Sequence, residues 1–343
     1  MYKTMANIKE IAVKCGLSVS TVSKALNSYS DISPETKQRV LQTAQECGYF
    51  PSSIARALKT NRTHNIGVLF VDDGHSGLKH DYFAAVLDSF KVEAEKHDYD
   101  ITFINHNIHI GDRPMTFLEH CRYRNFDGVC IACIDFQQPE VSELVESDLP
   151  VVTIDHVFNN HTSINSANVQ GMQELVQYIC NMGHRKIAYV HGEKTAVTEQ
   201  RITSFCKTML GFGVEVPAEY LVVSAYHDPS ATKKSVQNLL ALPNPPTCII
   251  MPDDYAALGG IEAIEAAGLQ IPQDISIAGY DGIALSQVIK PRLTTLEQDT
   301  QKLGSEAARR LIELIENPLT TLTETVIVTG RLIEGKSVAR VNL

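Results

Sequence analysis

The chain has 343 residues, of which 44% are hydrophobic and 20% charged, and its formal net charge is −10. These values are those of an ordinary soluble protein that is long enough for more than one domain. No stretch approaches the roughly 20 apolar residues of a membrane span, and the N-terminus lacks an apolar signal segment, so we expect a cytoplasmic protein without membrane contact. The eight cysteines are scattered, which suits a reduced compartment.

Residues 7–27 predict two short helices joined by a tight turn. Apolar residues recur at helical spacing in both: Ile8, Ile11 and Ala12 in the first, and Val22, Ala25 and Leu26 in the second. Gly16 supplies the permissive backbone that the turn needs, and Ser18 can cap the second helix. The pattern is typical of a helix-turn-helix, although a generic helical hairpin shows similar spacings.

The second helix points short, uncharged or basic side chains away from its apolar stripe. They are Val19, Ser20, Thr21, Ser23, Lys24 and Asn27. Hydroxyl, amide and amine groups of this kind bind phosphates and base edges. The exposed face therefore favours DNA binding over the generic hairpin.

Two further helical segments follow. Residues 33–35, Ser-Pro-Glu, predict the start of a third helix that stops before Gly48 and carries Val40, Leu41 and Ala44 on one side. Residues 52–59 read as a capped helix that is too short to be stable alone in water. Such a segment is expected to fold against a partner.

Charge is distributed unevenly along the chain. Residues 1–65 contain nine Lys and Arg against four Asp and Glu, a balance of +5, so the remainder carries −15. A local basic patch is sufficient for phosphate binding. The acidic remainder should suppress DNA contact away from the N-terminal segment.

Beyond residue 65, strand-like and helical segments alternate. Strands are predicted at 66–71, 101–104, 128–132, 151–154, 186–190, 220–223, 248–251 and 275–278, and helices at 81–97, 114–124, 139–146, 169–182, 199–211, 230–241 and 254–267. This alternation predicts doubly wound parallel sheets, and the number of strands favours two α/β lobes.

Polar residues cluster directly after the predicted strands. They are Asp72, Asp73, Asn105, Asp135, Asp155, Asp253, Asp254 and Asp281. Ligands of such sheets bind beyond the carboxyl ends of the strands, where acids accept hydrogen bonds from sugar hydroxyls and Tyr82 or Phe83 could cover a ring. Any single acid could instead be a helix cap or turn former.

Several motifs in this order resemble the lactose/galactose repressor (LacI/GalR) family of bacterial transcription regulators over essentially the whole chain. They are Ile8-Lys-Glu-Ile-Ala12, Val19-Ser-Thr-Val-Ser-Lys-Ala-Leu-Asn27, Gly48-Tyr-Phe-Pro51, Ala55-Arg-Ala-Leu58, Gly183-His-Arg-Lys-Ile-Ala188, Pro272-Gln-Asp-Ile-Ser-Ile-Ala-Gly-Tyr-Asp281 and Pro291-Arg-Leu-Thr-Thr-Leu296.

The resemblance implies an all-α helix-turn-helix head at 1–50, a hinge helix and linker at 51–64, and a two-lobed, periplasmic-binding-protein-like core at 65–343. The first lobe would span about 65–163 and 294–320, and the second about 164–292 and 322–343. The crossings between lobes are expected near 163–165, 290–294 and 319–323.

The resemblance also assigns contacts with DNA. Val19, Ser20 and Lys24 would touch base edges, and Thr21, Ser23 and Asn27 would hold phosphates. Leu58, with Ala55 beside it, would wedge into the minor groove at the centre of the operator, where the cost of unstacking is offset by the contacts that bending permits. Lys24 stands where the family often has Arg, which puts bidentate guanine readout in doubt.

The expected effector site combines matched and strand-end residues: Asp72, Tyr82, Asp135, Arg201, Asp253 and Asp281. Arg201 aligns with the family arginine that binds effector hydroxyls or carboxylate. Asp253 departs from a frequent Asn, and Gly335 stands where the family commonly has Arg. No metal or cofactor is expected.

The predicted function is that of a homodimeric repressor of sugar-utilisation genes, which binds a pseudo-palindromic operator and is controlled by a mono- or disaccharide between its lobes. A corepressor mechanism, as with purines in one branch of the family, is the alternative. A sugar-transport protein would have no use for residues 7–59, and a sugar-metabolising enzyme lacks its phosphate-loop, dinucleotide and Ser/His/Asp motifs here.

Overall fold

The computed structural model describes residues 7–27, 29–50, 57, 62–71, 77–105 and 108–341. The chain divides into two compact units with the boundary between His64 and Asn65. The first is the head and the second is the core, and each is described by itself. The predicted hinge helix at 51–64 lies mainly outside the described residues.

In the described part of the head, three helices follow the boundaries expected from the capping residues. They are α1 (Ile8–Cys15), α2 (Val19–Leu26) and α3 (Pro34–Glu46). Ser18 Oγ accepts a hydrogen bond from the backbone N–H of Thr21, and Ser33 caps α3 in the same way. Gly16 ends α1 in the left-handed conformation, with φ of 62°, which costs a glycine little.

The core of the head is small. Ile11, Val22, Ala25 and Val40 are buried together, so the helices pack through the predicted stripes. Leu41 is an exception, because its side chain is 51% exposed rather than buried beside Val40. Adjacent residues of a helix are about 100° apart, so Val40 and Leu41 cannot both point into so narrow a core.

The core unit alternates strands and helices. The first stretch comprises β1 (Asn65–Phe70), α4 (Asp81–Lys96), β2 (Asp100–Phe103), β3 (His109–Ile110), β4 (Arg113–Pro114), α5 (Phe117–Arg124), β5 (Gly128–Ala132), α6 (Pro139–Val145), β6 (Val151–Ile154) and β7 (Thr162–Ser166). The second comprises α7 (Asn168–Asn181), β8 (Ile187–His191), α8 (Ala196–Gly211), β9 (Leu221–Val223), α9 (Pro229–Leu240), β10 (Cys248–Ile250), α10 (Ala257–Ala266), β11 (Ser276–Asp281), α11 (Ala284–Val288) and β12 (Thr294–Glu297). The chain ends with α12 (Thr300–Glu316), β13 (Thr325–Val328) and β14 (Arg331–Ile333), and short 3₁₀ helices lie at Gly77–Lys79 and Ala218–Tyr220.

Within the described core, the strands form two six-stranded sheets, one in each lobe, and a small hairpin of β3 and β4. The first sheet has the order β13-β7-β6-β5-β1-β2 and the second β14-β12-β11-β10-β8-β9. Neighbours are parallel except that β14 runs antiparallel to β12. This confirms the predicted fold class.

Both sheets are covered by helices on their two faces. In β5, Cys130 faces a cluster formed with α4 and α12, whereas Val129 and Ile131 face one formed with α5 and α6. In β8, Tyr189 packs against α7 and α8, and Ala188 and Val190 pack against α9 and α10. Burial on both faces explains the nearly continuous apolar runs of these strands.

The chain crosses between the lobes later than the sequence suggests. The crossings lie between β7 and α7, between β12 and α12, and between β13 and β14. Residues 163–165 and 294 are therefore strand residues, and 325–328 belong to the first sheet rather than the second. The reason is pairing: β7 and β12 are short and largely polar, and β13 has only four residues, so their neighbours in the sheet, rather than their own sequence patterns, make them strands.

The structure explains why residue 335 is a glycine. A Cβ atom at this position would lie 2.3 Å from the carbonyl oxygen of Arg292, because the two segments approach closely. The backbone N–H of Lys336 donates to that same oxygen at 2.7 Å. With the backbone as it stands, a side chain at 335 would collide with it.

Across the described residues, no helix is both long and apolar enough to cross a membrane.

Candidate functional site

The exposed face of α2 carries the predicted DNA-contact residues of the head. Val22 and Ala25 are buried and Leu26 packs against them, so the predicted DNA-contact residues lie on the other side of the helix. Two of them make local bonds: the hydroxyl of Thr21 lies 2.8 Å from Ser18 Oγ, and Asn27 Nδ2 donates to the carbonyl of Ser23 at 2.7 Å. These bonds hold the two polar groups close to the helix surface.

Lys24 forms an ion pair within the head. Its Nζ lies 2.5 Å from Oδ2 of Asp31, which belongs to the segment between α2 and α3. The hydrogen bond and the charge of its partner raise the pKa of Lys24 and lower the pKa of Asp31. The ammonium group that is expected to reach bases is therefore held by an acid.

Of the other predicted site residues, Val19 and Ser20 are exposed, whereas Ala55, Leu58 and Asp72 lie outside the described residues.

In the first lobe, Tyr82 and Asp155 form one side of a polar cluster. Tyr82 Oη donates to Asp155 Oδ2 at 3.0 Å, and the backbone N–H of Ser166 donates to Asp155 Oδ1 at 2.7 Å. Burial, reinforced by the nearby carboxylate, raises the pKa of Tyr82 well above 10.0. The phenol thus remains a hydrogen-bond donor that orients the carboxylate.

In the second lobe, Arg201 of α8 is the central cation. It is only 4% exposed, its Nε donates to Asn168 Oδ1 at 2.8 Å, and its guanidinium carbon lies 3.7 Å from the ring centroid of Tyr280. Burial alone would lower the pKa of Arg201, but the surrounding phenols and Asp281 raise it overall. The guanidinium therefore stays charged, supported by a cation–π contact.

Asp281 follows Tyr280 at the end of β11 and is 9% exposed. Its Oδ1 accepts a hydrogen bond from Gln298 Nε2 at 2.7 Å. Burial raises the pKa of Asp281, Arg201 lowers it, and the Asp155 carboxylate raises it further. The two lobes thus present their acids to each other across one cleft.

Asp253 and Asp254 follow β10 and have buried partners. The two oxygens of Asp253 accept from the backbone N–H groups of His227 and Ala256, both at 2.7 Å. Those of Asp254 accept from Thr295 Oγ1 at 2.6 Å and from the N–H of Ile283 at 2.9 Å. Burial raises the pKa of Asp253 and, more strongly, that of Asp254. Both carboxylates fasten loops around the cleft.

Three rings join the lobes. His80 of the first lobe stacks on His227 of the second with 4.5 Å between ring centroids, and His227 stacks on Tyr255 at 4.0 Å. The stack lies beside Asp253, which accepts the backbone N–H of His227. It is a direct contact between lobes that would have to break if they moved apart.

Three residues at the cleft have left-handed backbone conformations. Asp155 has a φ of 57°, His227 of 54° and Asp281 of 96°. Such conformations are uncommon for non-glycine residues, and they cost on the order of 1–3 kcal/mol each. Backbone strain of this kind clusters at ligand sites, and here it accompanies the polar groups that face the cleft.

Asp135 is placed differently from the other predicted acids. It is exposed, and its Oδ1 accepts from the backbone N–H of Gln137 at 3.0 Å, which is the role of a turn former.

Sequence reasoning missed Asn168, Tyr280 and Gln298, which contact Arg201 or Asp281. The one available signal was that Tyr280 and Gln298 directly adjoin a strand end.

Some hydrogen-bonding capacity at the cleft is unused by the protein. Among the described residues, Oη of Tyr189 and Oε1 of Gln298 are buried without a hydrogen-bond partner, and Asp281 Oδ2 has no recorded donor. Buried polar groups are normally paired, so unmatched groups beside a charged site suit a bound ligand.

A helix-turn-helix head joined to such a two-lobed core defines a class of protein, the ligand-responsive transcriptional regulator.

Comparison with known proteins supports this class. The model of bacterial regulatory proteins of the lacI family matches residues 7–52, and that of the periplasmic binding protein-like domain matches residues 176–338. The chain is 31% identical over 321 residues to the probable HTH-type transcriptional repressor ExuR of Bacillus subtilis (strain 168), covering 92% of this chain and 93% of that protein. It is 31% identical over 315 residues to the HTH-type transcriptional repressor PurR of Pasteurella multocida (strain Pm70), covering 91% and 92%.

The fold agrees with these relatives. The crystal structure of the lac repressor dimer bound to operator and the anti-inducer ONPF matches with a TM-score of 0.84, at 22% identity, over 97% of this chain and 99% of that chain. The chain belongs to the lacI family of bacterial regulatory proteins, and its relatives are transcriptional regulators rather than enzymes.

Proposed function

We propose that this protein represses transcription as a homodimer on a pseudo-palindromic operator, and that a sugar bound between its lobes controls its affinity for DNA. The observation that carries the ligand part is that Arg201 and Asp281 lie buried in the same cleft, near enough to act on each other electrostatically. A hydroxyl group both donates and accepts, so neighbouring hydroxyls of a sugar can accept from the guanidinium and donate to the carboxylate.

Charge supports a neutral ligand. Among the described residues of the cleft, Asp155, Asp253 and Asp281 outnumber the one guanidinium, that of Arg201, and the acids act on one another electrostatically. An anionic ligand would add a further negative charge to a buried site, which is costly without a matching cation. We therefore expect uncharged mono- or disaccharides to bind better than sugar phosphates.

For the head, we propose base contacts by Val19, Ser20 and Lys24, with Ala55 and Leu58 at the operator centre, and phosphate contacts by Thr21, Ser23 and Asn27. The exposure of α2 opposite its buried stripe supports this assignment. Effector binding would bias lobe closure and so order or melt the hinge helices. A coupling of about 1–3 kcal/mol would change operator affinity roughly 5- to 150-fold.

A purine corepressor is the second candidate. His80, His227 and Tyr255 already form a stack at the cleft, and a planar base could extend that stack from its Tyr255 end. In that case the ligand would promote DNA binding rather than release it.

A thermal-shift screen tests the ligand class. A ligand that binds the folded state raises the Tm by an amount set by its concentration relative to its Kd. We expect a dose-dependent shift with a neutral sugar and a smaller one with the corresponding sugar phosphate. A shift with purines alone would replace the sugar proposal by the corepressor mechanism, and no shift across both sets would contradict the sugar assignment.

A further inference from the structure

The ion pair between Lys24 and Asp31 couples the recognition helix to an acid outside it. The two charged atoms are 2.5 Å apart, and their side chains are 42% and 52% exposed. An ion pair so open to water contributes little to folding stability. We therefore expect the ion pair to affect how strongly the head binds charged groups of other molecules.

The other acids of the described head are placed differently. Glu10 bonds to the side chain of Asn7 at the start of α1, and Glu46 accepts from Gln42 at the end of α3. Glu35 lies in the first turn of α3 and forms no ion pair within the described part of the head. Asp31 is thus distinguished by its bond to a cation of α2.

Other groups also face this pair. Lys37 of α3 acts on Asp31 through its positive charge, and Tyr29 lies near Lys24. Asp31 therefore acts on two lysines, and removing its charge leaves the Lys24 ammonium without its ion-pair partner. The local balance would change by one full charge.

We propose that Asp31 is a specificity-determining residue: it holds the Lys24 ammonium within the head and thereby withholds one positive charge from the phosphates of nonspecific DNA. The inference rests on the proposed DNA binding by α2. Nonspecific affinity depends on how many phosphates the protein neutralises, and it is independent of base sequence. On the operator, base contacts to Lys24 can compensate for breaking the ion pair, whereas random DNA offers only its phosphate field.

The test measures binding of the full-length protein to a fluorescein-labelled random-sequence duplex at several salt concentrations from 50 to 200 mM. Asp31→Asn keeps the size of the side chain and removes its charge. We expect the slope of log K against log salt to steepen by about one per head, and affinity at 0.15 M salt to rise about fivefold per head. Asp31→Glu, which keeps the charge, should restore wild-type behaviour.

Two controls separate positioning from a general charge effect. Glu46→Gln removes an acid of the head that accepts a hydrogen bond from the uncharged Gln42 and acts electrostatically on Lys14 rather than on Lys24, and it should change affinity less than about twofold. On the random-sequence duplex, Lys24→Ala should reduce affinity less in the presence of Asp31, which already neutralises the lysine, than in its absence. In the Asp31→Asn background it should remove the gain, and this non-additivity is something a purely structural role of Asp31 does not produce.

The specific complex gives a second measurement. Against an operator obtained by selection from randomised palindromes, the ratio of specific to nonspecific affinity should fall in Asp31→Asn. The inference is overturned if Asp31→Asn leaves the nonspecific slope and affinity unchanged, or if Glu46→Gln has an equal effect. If the wild-type protein shows no salt-dependent binding to any duplex, the proposed DNA binding fails as well, so the two failures are distinguishable.

Discussion

The head and the cleft of this protein carry their candidate functional groups in opposite ways. In the head, the candidate contacts described by the structure lie within nine consecutive positions, on or just after α2, and several are well exposed. In the cleft, the interacting groups come from positions between 80 and 298 and are largely buried. An exposed, contiguous surface can change its contacts without affecting folding, whereas cleft residues such as Asp253 and Asp254 also hold loops in place. We therefore expect substitutions in the cleft to separate ligand binding from stability only at selected positions.

The largest effect is expected at Arg201, the cation that we propose contacts the ligand. Arg201→Ala should weaken effector binding more than about 100-fold, since removing one partner of a buried charged contact typically costs 2–5 kcal/mol. Operator affinity in the absence of effector should stay within about twofold. Isothermal titration with the sugar found in the screen measures the first, and anisotropy of labelled operator measures the second.

Arg201→Lys is the matched control for charge. It keeps the positive charge but loses the planar contact with Tyr280 and the bond to Asn168, so its effector affinity should fall between those of the wild type and the alanine variant. An alanine variant with unchanged effector affinity would place the ligand elsewhere.

Substitution of Asp253 tests whether an acid of the cleft also stabilises the folded protein. Both of its oxygens accept backbone N–H groups, so the Asn of Asp253→Asn can satisfy only one of them and turns an amide N–H₂ toward the other. We expect a loss of about 1–3 kcal/mol in the free energy of unfolding, measured by urea denaturation. This would explain why the chain departs from the residue that the family often has here.

Asp135→Asn provides the comparison, because the exposed Asp135 accepts only one recorded backbone bond, which an amide oxygen can replace. Its effect should remain within about 0.5 kcal/mol. Equal effects of the two substitutions would refute the structural role assigned to Asp253.

The ring stack tests the contact between lobes. His80→Ala removes the first-lobe ring from His227, and stacked aromatic pairs contribute about 0.5–1.5 kcal/mol. If the ligand requires closed lobes, effector affinity should fall about two- to tenfold. His80→Phe retains a ring and should stay closer to the wild type, so identical losses in both variants would exclude stacking as the cause.

The smallest expected effect is a pH dependence at Asp254. Because folding raises the pKa of this carboxyl, its contribution to stability is complete below the unfolded-state value of about 3.9 and is lost as the pH rises through the folded-state value. Asp254→Asn should therefore be neutral or slightly destabilising near pH 3.5 and raise the Tm by about 2–4 °C, or roughly 1 kcal/mol, at pH 7.

Differential scanning calorimetry of wild type and variant across this range measures the change in Tm. A difference in Tm that is independent of pH would show that ionisation of Asp254 does not oppose folding.

The contrast between the contiguous head and the dispersed cleft also explains which features the sequence could predict. The boundaries of α1 to α3 follow from local signals such as Ser18, Gly16 and Ser33, and the alternation of strands and helices established the two-lobed core. The sequence predicts crossings within β7 and at the first residue of β12, because only pairing in the sheet reveals these polar strands.

Within the cleft, the acids after strands were predicted, but their partners were not. Gln298 reaches Asp281 because β12 lies parallel to β11 with Glu297 opposite Asp281, a register that sequence pattern does not contain. Likewise, the bond between Asn168 and Arg201 joins the starts of two different helices. Asp135 illustrates the converse, since a strand-end acid can simply form a turn.

The most direct test of the account is a titration of operator binding by the full-length protein at fixed effector concentrations, together with the reciprocal titration of effector at fixed operator. If the cleft controls the head, the effector should change operator affinity about 5- to 150-fold, and the operator should change effector affinity by the same factor. An effector that binds the cleft tightly but leaves operator affinity unchanged would contradict the account.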